Sequence, residues 1–224
     1  MSNRNRKAIV ALSGGIDSCV TLAIAREKYD IAILHVQYGQ RTAGKELECF
    51  HKIGDHYGLK DRLVTPLPHL ESIKGSSLID DNIEVEKGIP DGEGIPSTYV
   101  PFRNATILSI AVAWGEVLQA ENIFIGAVQE DSSGYPDCRE SFFESFEKTA
   151  NLGTHDDNRY TIHTPIIHLS KAEIIKEGIR LEAPLQFTWS CYTNTVKACG
   201  ECESCMLRLR GFEQVGQKDP IPYR

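Results

Sequence analysis

The sequence has no long hydrophobic run, and this absence bears on the cellular location that we expect for the protein. No uninterrupted apolar stretch approaches the roughly 18 residues that a membrane-spanning helix needs. Residues 1–7 are polar and basic and lack the apolar centre of a signal peptide. We therefore expect a cytoplasmic protein without a membrane partner, built as one domain or as one domain with a small appendage.

The sequence also lacks an excess of positive charge. Its 224 residues include 24 Lys and Arg against 31 Asp and Glu, which gives a net charge of −7 at pH 7. Proteins that bind along the phosphate backbone of a nucleic acid normally present a basic face. The composition therefore argues against a nucleic-acid partner, although it leaves room for a local basic pocket.

Two common nucleotide-binding fingerprints are missing. A Walker A loop needs the pattern G-x-x-x-x-G-K-S/T, but Glu46 follows the only Gly-Lys pair of the sequence, Gly44-Lys45. No G-x-G-x-x-G motif follows a predicted strand either. A phosphate-binding site in this chain must therefore be of another kind.

A glycine turn does occur between an apolar strand and a helix near the N-terminus. The predicted strand 8–12 leads into the run Ser13-Gly-Gly-Ile-Asp-Ser18, and helical spacing follows over 19–26. Glycines let the backbone approach an anion closely, and N–H groups at a helix start point at that anion with the help of the helix dipole. An ordinary strand–helix connection with a capping Asp or Ser is the alternative, but the complete run favours a phosphate site.

The run resembles the pyrophosphate loop, or PP-loop, of the ATP-pyrophosphatase superfamily. The resemblance implies cleavage of ATP, bound with Mg²⁺, between the α- and β-phosphates, with an adenylylated substrate and pyrophosphate as products. Asp17 would orient either the Mg²⁺ or the loop itself. The residues implied to bind ATP here are Ala11, Leu12, Ser13, Gly14, Gly15, Ile16, Asp17, Ser18, Cys19, Val20 and Thr21.

Strands and helices alternate along the chain, which predicts an α/β fold. The first strand is apolar throughout, as is typical of a parallel strand that is buried on both faces. We predict a Rossmann-like parallel sheet with helices on both faces over residues 1–185, similar to the adenine nucleotide alpha hydrolases. Further strands are predicted at 31–36, 62–65, 122–127 and 163–167. Residues 66–101 are rich in Pro and Gly and predict a long loop over the strand ends, a candidate lid that contains a short edge strand at 80–86.

Several polar residues follow strand ends, where ligands of such sheets bind. Arg41 follows the second strand and is either a pocket residue or a solvated surface residue. Arg103 opens a long apolar helix and either meets phosphate or serves as a surface charge. Lys171 lies in the first turn of a helix that begins with a Ser170–Glu173 capping box. A cation at that end opposes the helix dipole, which indicates an anion nearby.

The run 133–139, Ser-Gly-Tyr-Pro-Asp-Cys-Arg, precedes another helix. Pro136 suits a first helical position, and Asp137 suits the positive end of a helix. This structural explanation does not account for Tyr135 or Arg139, which look like groups for a small aromatic polar ligand.

Seven cysteines without a secretion signal indicate a reducing cytosol, where thiols bind metal or stay free. Four of them, Cys191, Cys199, Cys202 and Cys205, follow the spacing C-x7-C-x2-C-x2-C. Four sulfur ligands match tetrahedral zinc in a closed, structural site. An iron–sulfur cluster, which uses similar spacing, is the alternative. We predict that Zn²⁺ holds a small C-terminal segment, residues 186–224, against the domain.

Six stretches, in order along the whole chain, together resemble the 7-cyano-7-deazaguanine synthase family. They are 13–18, 38–41 (Tyr-Gly-Gln-Arg), 99–104 (Tyr-Val-Pro-Phe-Arg-Asn), 133–139, 169–173 (Leu-Ser-Lys-Ala-Glu) and the cysteine segment 189–205. One departure is Thr42, because a His often follows Gln-Arg in the family.

The resemblance implies an ATP-dependent step of queuosine biosynthesis, in which 7-carboxy-7-deazaguanine and ammonia become the nitrile by way of the amide. It implies catalytic roles for Ser13, Asp17, Ser18, Arg103 and Lys171, and contacts of Tyr135, Asp137 and Arg139 with the deazaguanine. A homodimer would fit the family. The alternatives are another PP-loop enzyme, either an amide ligase or a tRNA-thiolating enzyme, and a zinc-ribbon nucleic-acid-binding module.

Overall fold

A five-stranded sheet forms the centre of the protein. The computed structural model describes residues 7–88, 94–129 and 134–224, so Pro90 of the long loop and Ser133 lie outside the described residues. The strands are β1 (Lys7–Ala11), β2 (Asp30–Gln37), β3 (Arg62–Pro66), β4 (Asn122–Ile125) and β5 (Thr161–His163). Their order in the sheet is β3-β2-β1-β4-β5, and every neighbouring pair is parallel, as predicted.

Helices cover both faces of this sheet. Ala8 and Val10 of β1 pack into one apolar core, whereas Ile9, between them, packs into the other, because successive side chains of a strand point to opposite faces. The helices are α1 (Ile16–Arg26), α2 (Ala43–His56), α3 (Pro68–Ile73), α4 (Arg103–Leu118), α5 (Glu140–Gly153), α6 (Lys171–Arg180) and α7 (Glu203–Gln214). The first core includes side chains of α1, α2, α6 and α7, and the second includes side chains of α3, α4 and α5.

Some predicted boundaries are wrong. The last strand ends at His163, and residues 165–168 form a turn, because Pro165 has no N–H to extend a ladder. Strand β4 ends at Ile125, two residues before its predicted end. Helices α1 and α4 begin earlier than predicted, at Ile16 and Arg103.

The predicted edge strand at 80–86 is also wrong. The backbone turns there, since Asn82 N–H donates to the Asp80 side chain and Ile83 N–H donates to the Asp80 carbonyl. The guanidinium of Arg41 donates to the carbonyls of Ser77, Asp80 and Ile83 at 2.8, 3.0 and 2.9 Å. These local bonds satisfy the backbone without a partner strand, and they outweigh the alternation of apolar and polar residues.

The order of the strands determines where a ligand can bind. Strand β1 lies between β2 and β4, so the chain crosses the sheet in opposite directions on its two sides. In open parallel sheets, the crevice at such a switch point, beyond the carboxyl ends of the strands, is the usual ligand site. The run 13–18 lies directly after β1 and therefore borders this crevice.

Within the three described ranges, no helix combines the length and the apolar character that a membrane span requires.

Candidate active site

A cavity of about 280 Å³ opens at the carboxyl ends of β1, β2 and β4. It brings together residues that are far apart in the sequence. The predicted site residues that line it are Ala11, Leu12, Ser13, Gly15, Ile16, Asp17, Ser18, Arg41, Arg103, Tyr135, Lys171 and the predicted metal ligand Cys191. Its lining does not include the predicted ATP and substrate residues Gly14, Cys19, Val20, Thr21, Asp137 and Arg139, or the other three predicted metal ligands.

The run 13–18 forms a tight loop whose hydroxyl groups are linked. Gly15 is the N-cap of α1, and the Gly15 N–H donates to Ser13 Oγ at 3.3 Å. Ser18 Oγ donates to the Gly15 carbonyl at 3.1 Å and lies 3.1 Å from Ser13 Oγ. The unpaired N–H groups at the start of α1 thus lie at the cavity with two hydroxyl groups beside them, which is a suitable arrangement for phosphate oxygens.

Gly14 lies on the side of the loop that packs against α2 and does not face the cavity. Its φ is +94°, and a Cβ added there would lie 2.8 Å from the Glu46 carbonyl oxygen and 2.9 Å from Cys49 Cβ. Only glycine adopts this conformation without strain and allows α2 to pack so closely. Cys19 and Val20 likewise lie in the core behind the loop, with no exposed surface.

We expect Gly14→Ala to lower the free energy of unfolding by about 2–5 kcal/mol, through left-handed strain and overpacking against α2. Gly44→Ala is the matched control, because a Cβ at Gly44 meets no atom within 4 Å and Ala is the better helix former. The control should be neutral or slightly stabilising. Urea unfolding of both variants measures the difference, and equal midpoints would contradict the packing explanation.

Lys171 and Asp17 form an ion pair at the cavity. Lys171 Nζ donates to both carboxylate oxygens of Asp17, at 2.7 and 2.9 Å, and so joins the start of α6 to the first turn of α1. The side chains are partly buried, with exposures of 15% for Lys171 and 34% for Asp17. The anion that the position of Lys171 indicated is therefore Asp17, at least before a ligand binds.

Arg103 lies at the aromatic end of the cavity. Its Nη1 donates to Tyr38 Oη at 2.8 Å, and the guanidinium lies 5.2 Å from the Tyr38 ring centroid. Tyr135 Oη is hydrogen-bonded to Thr98 Oγ1, and the ring lies 5.6 Å from that of Tyr99. Tyr38, Tyr135 and Tyr192 all line the cavity there, which gives it a wall suited to a flat ring.

Asp137 holds the wall of the cavity from behind. Its carboxylate accepts a bond from the Asn104 N–H at 2.9 Å, and Asn104 Nδ2 donates to the Asp137 carbonyl at 2.8 Å. Burial raises the pKa of Asp137. Asn104 itself lines the cavity, so Asp137 acts on the site through its neighbour. Arg139 lies at the start of α5, outside the cavity lining.

Sequence reasoning missed several residues that line this cavity. Glu46 accepts bonds from Gln40 Nε2 and Thr42 Oγ1 at 2.9 and 2.8 Å, so the Thr42 hydroxyl binds a side chain instead of capping the backbone of α2. Ser190 and Arg208 also line the cavity. Tyr38 and Gln40 follow the end of β2, a position that offered a signal, whereas Arg208 on α7 offered none.

The four C-terminal cysteines converge on one point. Their sulfur atoms all lie within 4.8 Å of one another, so they could hold a metal ion. Backbone N–H groups of Asn194 and Cys199 donate to Cys191 Sγ at 3.3 and 3.4 Å, and that of Cys202 donates to Cys199 Sγ at 3.3 Å. Such donors stabilise thiolate charge, which fits a site of metal-bound cysteines.

The cysteine cluster is tied to the rest of the site. Lys87 of the long loop forms a β-bridge with Cys202 and an ion pair with Glu201 at 2.8 Å. Lys45 of α2 lies 5.1 Å from the Trp189 ring centroid.

The fold and the site together define the class of the protein. The loop 13–18 follows the first strand of a parallel sheet, α1 begins at the cavity, and the cation of Lys171 reaches the same place. These features are those of a nucleotide-binding protein of the PP-loop ATP-pyrophosphatase class.

A family model described as queuosine biosynthesis protein QueC matches residues 7–216, so the chain belongs to this family. The 7-cyano-7-deazaguanine synthases of Chlorobium phaeobacteroides and Chlorobaculum tepidum are each 52% identical to it over 218 residues, which cover 97% of this chain and 96% of each relative. The U34-tRNA thiolase NcsA from Methanococcus maripaludis, solved with its 4Fe-4S cluster, has a TM-score of 0.51 at 15% identity and covers 94% of this chain and 68% of that one. That likeness shows the fold alone.

Proposed function

We propose that the protein converts 7-carboxy-7-deazaguanine and ammonia to 7-cyano-7-deazaguanine at the expense of ATP. The substrate carboxylate attacks the α-phosphate of ATP and displaces pyrophosphate. Ammonia then displaces AMP from the acyl adenylate and leaves the amide. Adenylylation of the amide oxygen by a second ATP displaces pyrophosphate again, and loss of both N–H protons and of AMP then gives the nitrile. The enzyme is thus a ligase that forms carbon–nitrogen bonds.

The observation that carries the proposal is that one cavity joins a phosphate end to an aromatic end. At the phosphate end, the N-terminus of α1 with Ser13 and Ser18 lies where the leaving pyrophosphate gains charge. At the aromatic end, Arg103 and the rings of Tyr38 and Tyr135 suit an anionic, flat heterocycle. The α-phosphate and the substrate carboxylate would meet between the two ends.

Lys171 supplies positive charge at the phosphate end, where we propose that it moves from Asp17 toward the phosphates as they bind. Tyr135 contacts the deazaguanine in this proposal, and Asp137 positions Asn104 instead of touching the ring. Both oxygens of Asp17 are engaged by Lys171. Asp17 therefore orients the loop before ATP binds. Its carboxylate is released when Lys171 moves, beside the phosphates with which Mg²⁺ commonly arrives.

The long loop restricts access of water to the acyl adenylate in this proposal. Leu78 of the loop lines the cavity, and Arg41 fixes the backbone of the loop beside it. Such shielding protects reactive intermediates from hydrolysis. Ala11, Leu12, Gly15 and Ile16 would contribute backbone and apolar contacts to the nucleotide.

The four cysteines fit structural Zn²⁺ by ligand type and convergence. Residues 186–224 would then form a zinc-binding segment packed on the nucleotide-binding domain, residues 1–185. Two thiols line the cavity, those of Cys138 and Cys191. Burial raises the pKa of Cys138 to about 11, so that thiol is protonated and unsuited to sulfur transfer, and Cys191 would be held by the zinc. Family resemblance further implies a cytoplasmic homodimer, which light scattering would test.

One incubation tests the function. Metal-loaded protein is mixed with ATP, ammonia and 7-carboxy-7-deazaguanine, and the products are identified by mass spectrometry. We expect the nitrile, with two AMP and two pyrophosphate for each one formed. Folded protein that yields no nitrile would contradict the substrate assignment, and ADP in place of AMP would contradict cleavage between the α- and β-phosphates.

A further inference from the structure

A buried arginine lies beside the phosphate end of the cavity, and the mechanism above does not use it. The Arg208 side chain is 1% exposed and forms a two-pronged ion pair with Asp219, at 2.7 and 2.8 Å. Asp219 also accepts a bond from Tyr223 Oη at 2.6 Å. Because Asp219 balances its charge, Arg208 adds little net attraction for an anion. Its role must come from where it directs its other N–H groups.

Those groups reach two hydroxyls of the segment that precedes the cysteine cluster. Arg208 Nη1 donates to Thr188 Oγ1 at 2.9 Å and to Ser190 Oγ at 3.3 Å. A guanidinium can only donate, so both hydroxyl oxygens accept, and each hydroxyl proton must point elsewhere. The Thr188 proton goes to the Leu185 carbonyl, at 2.7 Å. For the Ser190 proton, the described residues provide no hydrogen-bond acceptor.

The segment holds Ser190 against the PP-loop. The Trp189 N–H donates to the Gly14 carbonyl at 2.9 Å, and the Cβ position of Gly15 lies 3.6 Å from the Trp189 carbonyl oxygen. Ser190 lines the same cavity as Ser13 and Ser18, whereas Thr188 does not line it. The hydroxyl proton without an acceptor therefore belongs to a residue that borders the predicted anion site.

We propose that Ser190 is an additional pyrophosphate-binding residue and that Arg208 is its positioning residue. The guanidinium occupies the acceptor side of Ser190 Oγ and leaves its proton to donate to a phosphate oxygen in the cavity that Ser13 and Ser18 also line. Asp219 binds the guanidinium, and Tyr223 binds Asp219, so these C-terminal residues act on the site indirectly, by holding Arg208 in place. The inference rests on the proposed function in one respect, namely that the anion is the pyrophosphate part of ATP.

Calorimetric titration of the metal-loaded protein with inorganic pyrophosphate, and separately with adenosine, tests the first part. Ser190→Ala should weaken pyrophosphate binding about tenfold, which is a typical effect of one hydrogen bond to a charged group. Adenosine binding should be unchanged, and Ser190→Thr, which keeps the hydroxyl, should restore most of the affinity. Thr188→Val is the matched control, since it removes the other partner of Nη1, and it should keep the pyrophosphate affinity. Wild-type affinity in Ser190→Ala would overturn the proposal.

Arg208→Lys tests the second part, because it keeps a cation for Asp219 but removes the fork that reaches Ser190. It should lose pyrophosphate affinity as Ser190→Ala does, and the double variant should be no weaker than either single one. Additive losses would contradict action through Ser190. Metal content is measured in each variant, because Cys191 adjoins Ser190. If the variants lose pyrophosphate affinity but the wild-type protein forms no nitrile, the substrate assignment is wrong and this inference stands. If the wild-type protein forms the nitrile but the variants bind pyrophosphate normally, only this inference is wrong.

Discussion

Replacement of Cys202 by serine should release the metal, unfold the C-terminal segment and abolish turnover. The sulfur atoms of the four cysteines lie within 4.8 Å of one another, too close for several thiolates without a cation between them. Apparent binding of structural zinc is worth about 10–16 kcal/mol, as much as the whole stability of a typical domain. Apart from cysteines, the buried side chains around the cluster are only Trp189, Ala198 and Ile221 among the described residues, with Val85, Tyr192 and Tyr223 partly buried against them. Metal analysis, thermal unfolding and limited proteolysis of the segment measure the effect.

Cys19→Ala is the matched control for this prediction. Cys19 is buried in α1, and burial raises the pKa of its thiol to about 12, so it behaves as a small apolar side chain. Its replacement should keep the full metal content and cost much less stability. If Cys202→Ser loses its metal but has the same unfolding temperature as the wild type, the structural role of the metal is rejected. Iron with visible absorbance in the wild-type protein would favour an iron–sulfur cluster over zinc.

The parts of the site that could be predicted are those that adjacent residues determine. The PP-loop needs only a buried strand, two glycines and a helix start, and all of these lie between residues 7 and 26. The parallel sheet followed from apolar strands alternating with helices, and the cysteine cluster followed from its spacing. In each case the physical requirement is local, so the sequence displays it directly.

The remaining contacts depend on tertiary structure that no local pattern reveals. Arg208 and Asp219 belong to a helix and tail with ordinary polar composition, and burial of the pair follows only from the way α7 packs against α6 and the tail returns to α7. Likewise, no local pattern shows that the Asp137 carboxylate accepts a bond from the Asn104 N–H, or that Asn104 and not Asp137 lines the cavity. The prediction of an edge strand at 80–86 was wrong for a related reason. Arg41, which is distant in the sequence, donates to backbone carbonyls that a neighbouring strand would otherwise have bonded.

The pairing of Lys171 with Asp17 lies between these two cases. The residues are 154 positions apart, so the contact itself could not be predicted. The unfavourable position of a cation at a helix start did indicate an anion. The sequence therefore predicted that Lys171 has an anionic partner, because a cation is unfavourable at a helix start, but only the fold identified that partner as Asp17.

We expect Lys171→Met to lower kcat/KM for ATP by about 100- to 1000-fold, which is typical of the loss of one preorganised group at a developing charge. Two effects add: the phosphates lose a cation, and the carboxylate of Asp17 is left without the lysine beside the incoming anion. Lys176→Met, an exposed position on the same helix, is the matched control and should keep wild-type kinetics. Steady-state release of pyrophosphate measures both variants.

The double variant Asp17→Asn with Lys171→Met separates these two effects. If Lys171 acts only by neutralising Asp17, removal of both charges should restore most of the activity. If Lys171 leaves Asp17 to contact the phosphates, as proposed, the double variant should recover only the part of the rate that the uncompensated carboxylate costs. It should stay well below the wild type, because the missing cation is not replaced. Lys171→Arg should recover part of the rate, since it keeps a cation that reaches from the start of α6 toward α1. A fully active double variant would assign Lys171 to loop orientation and remove it from the phosphate site.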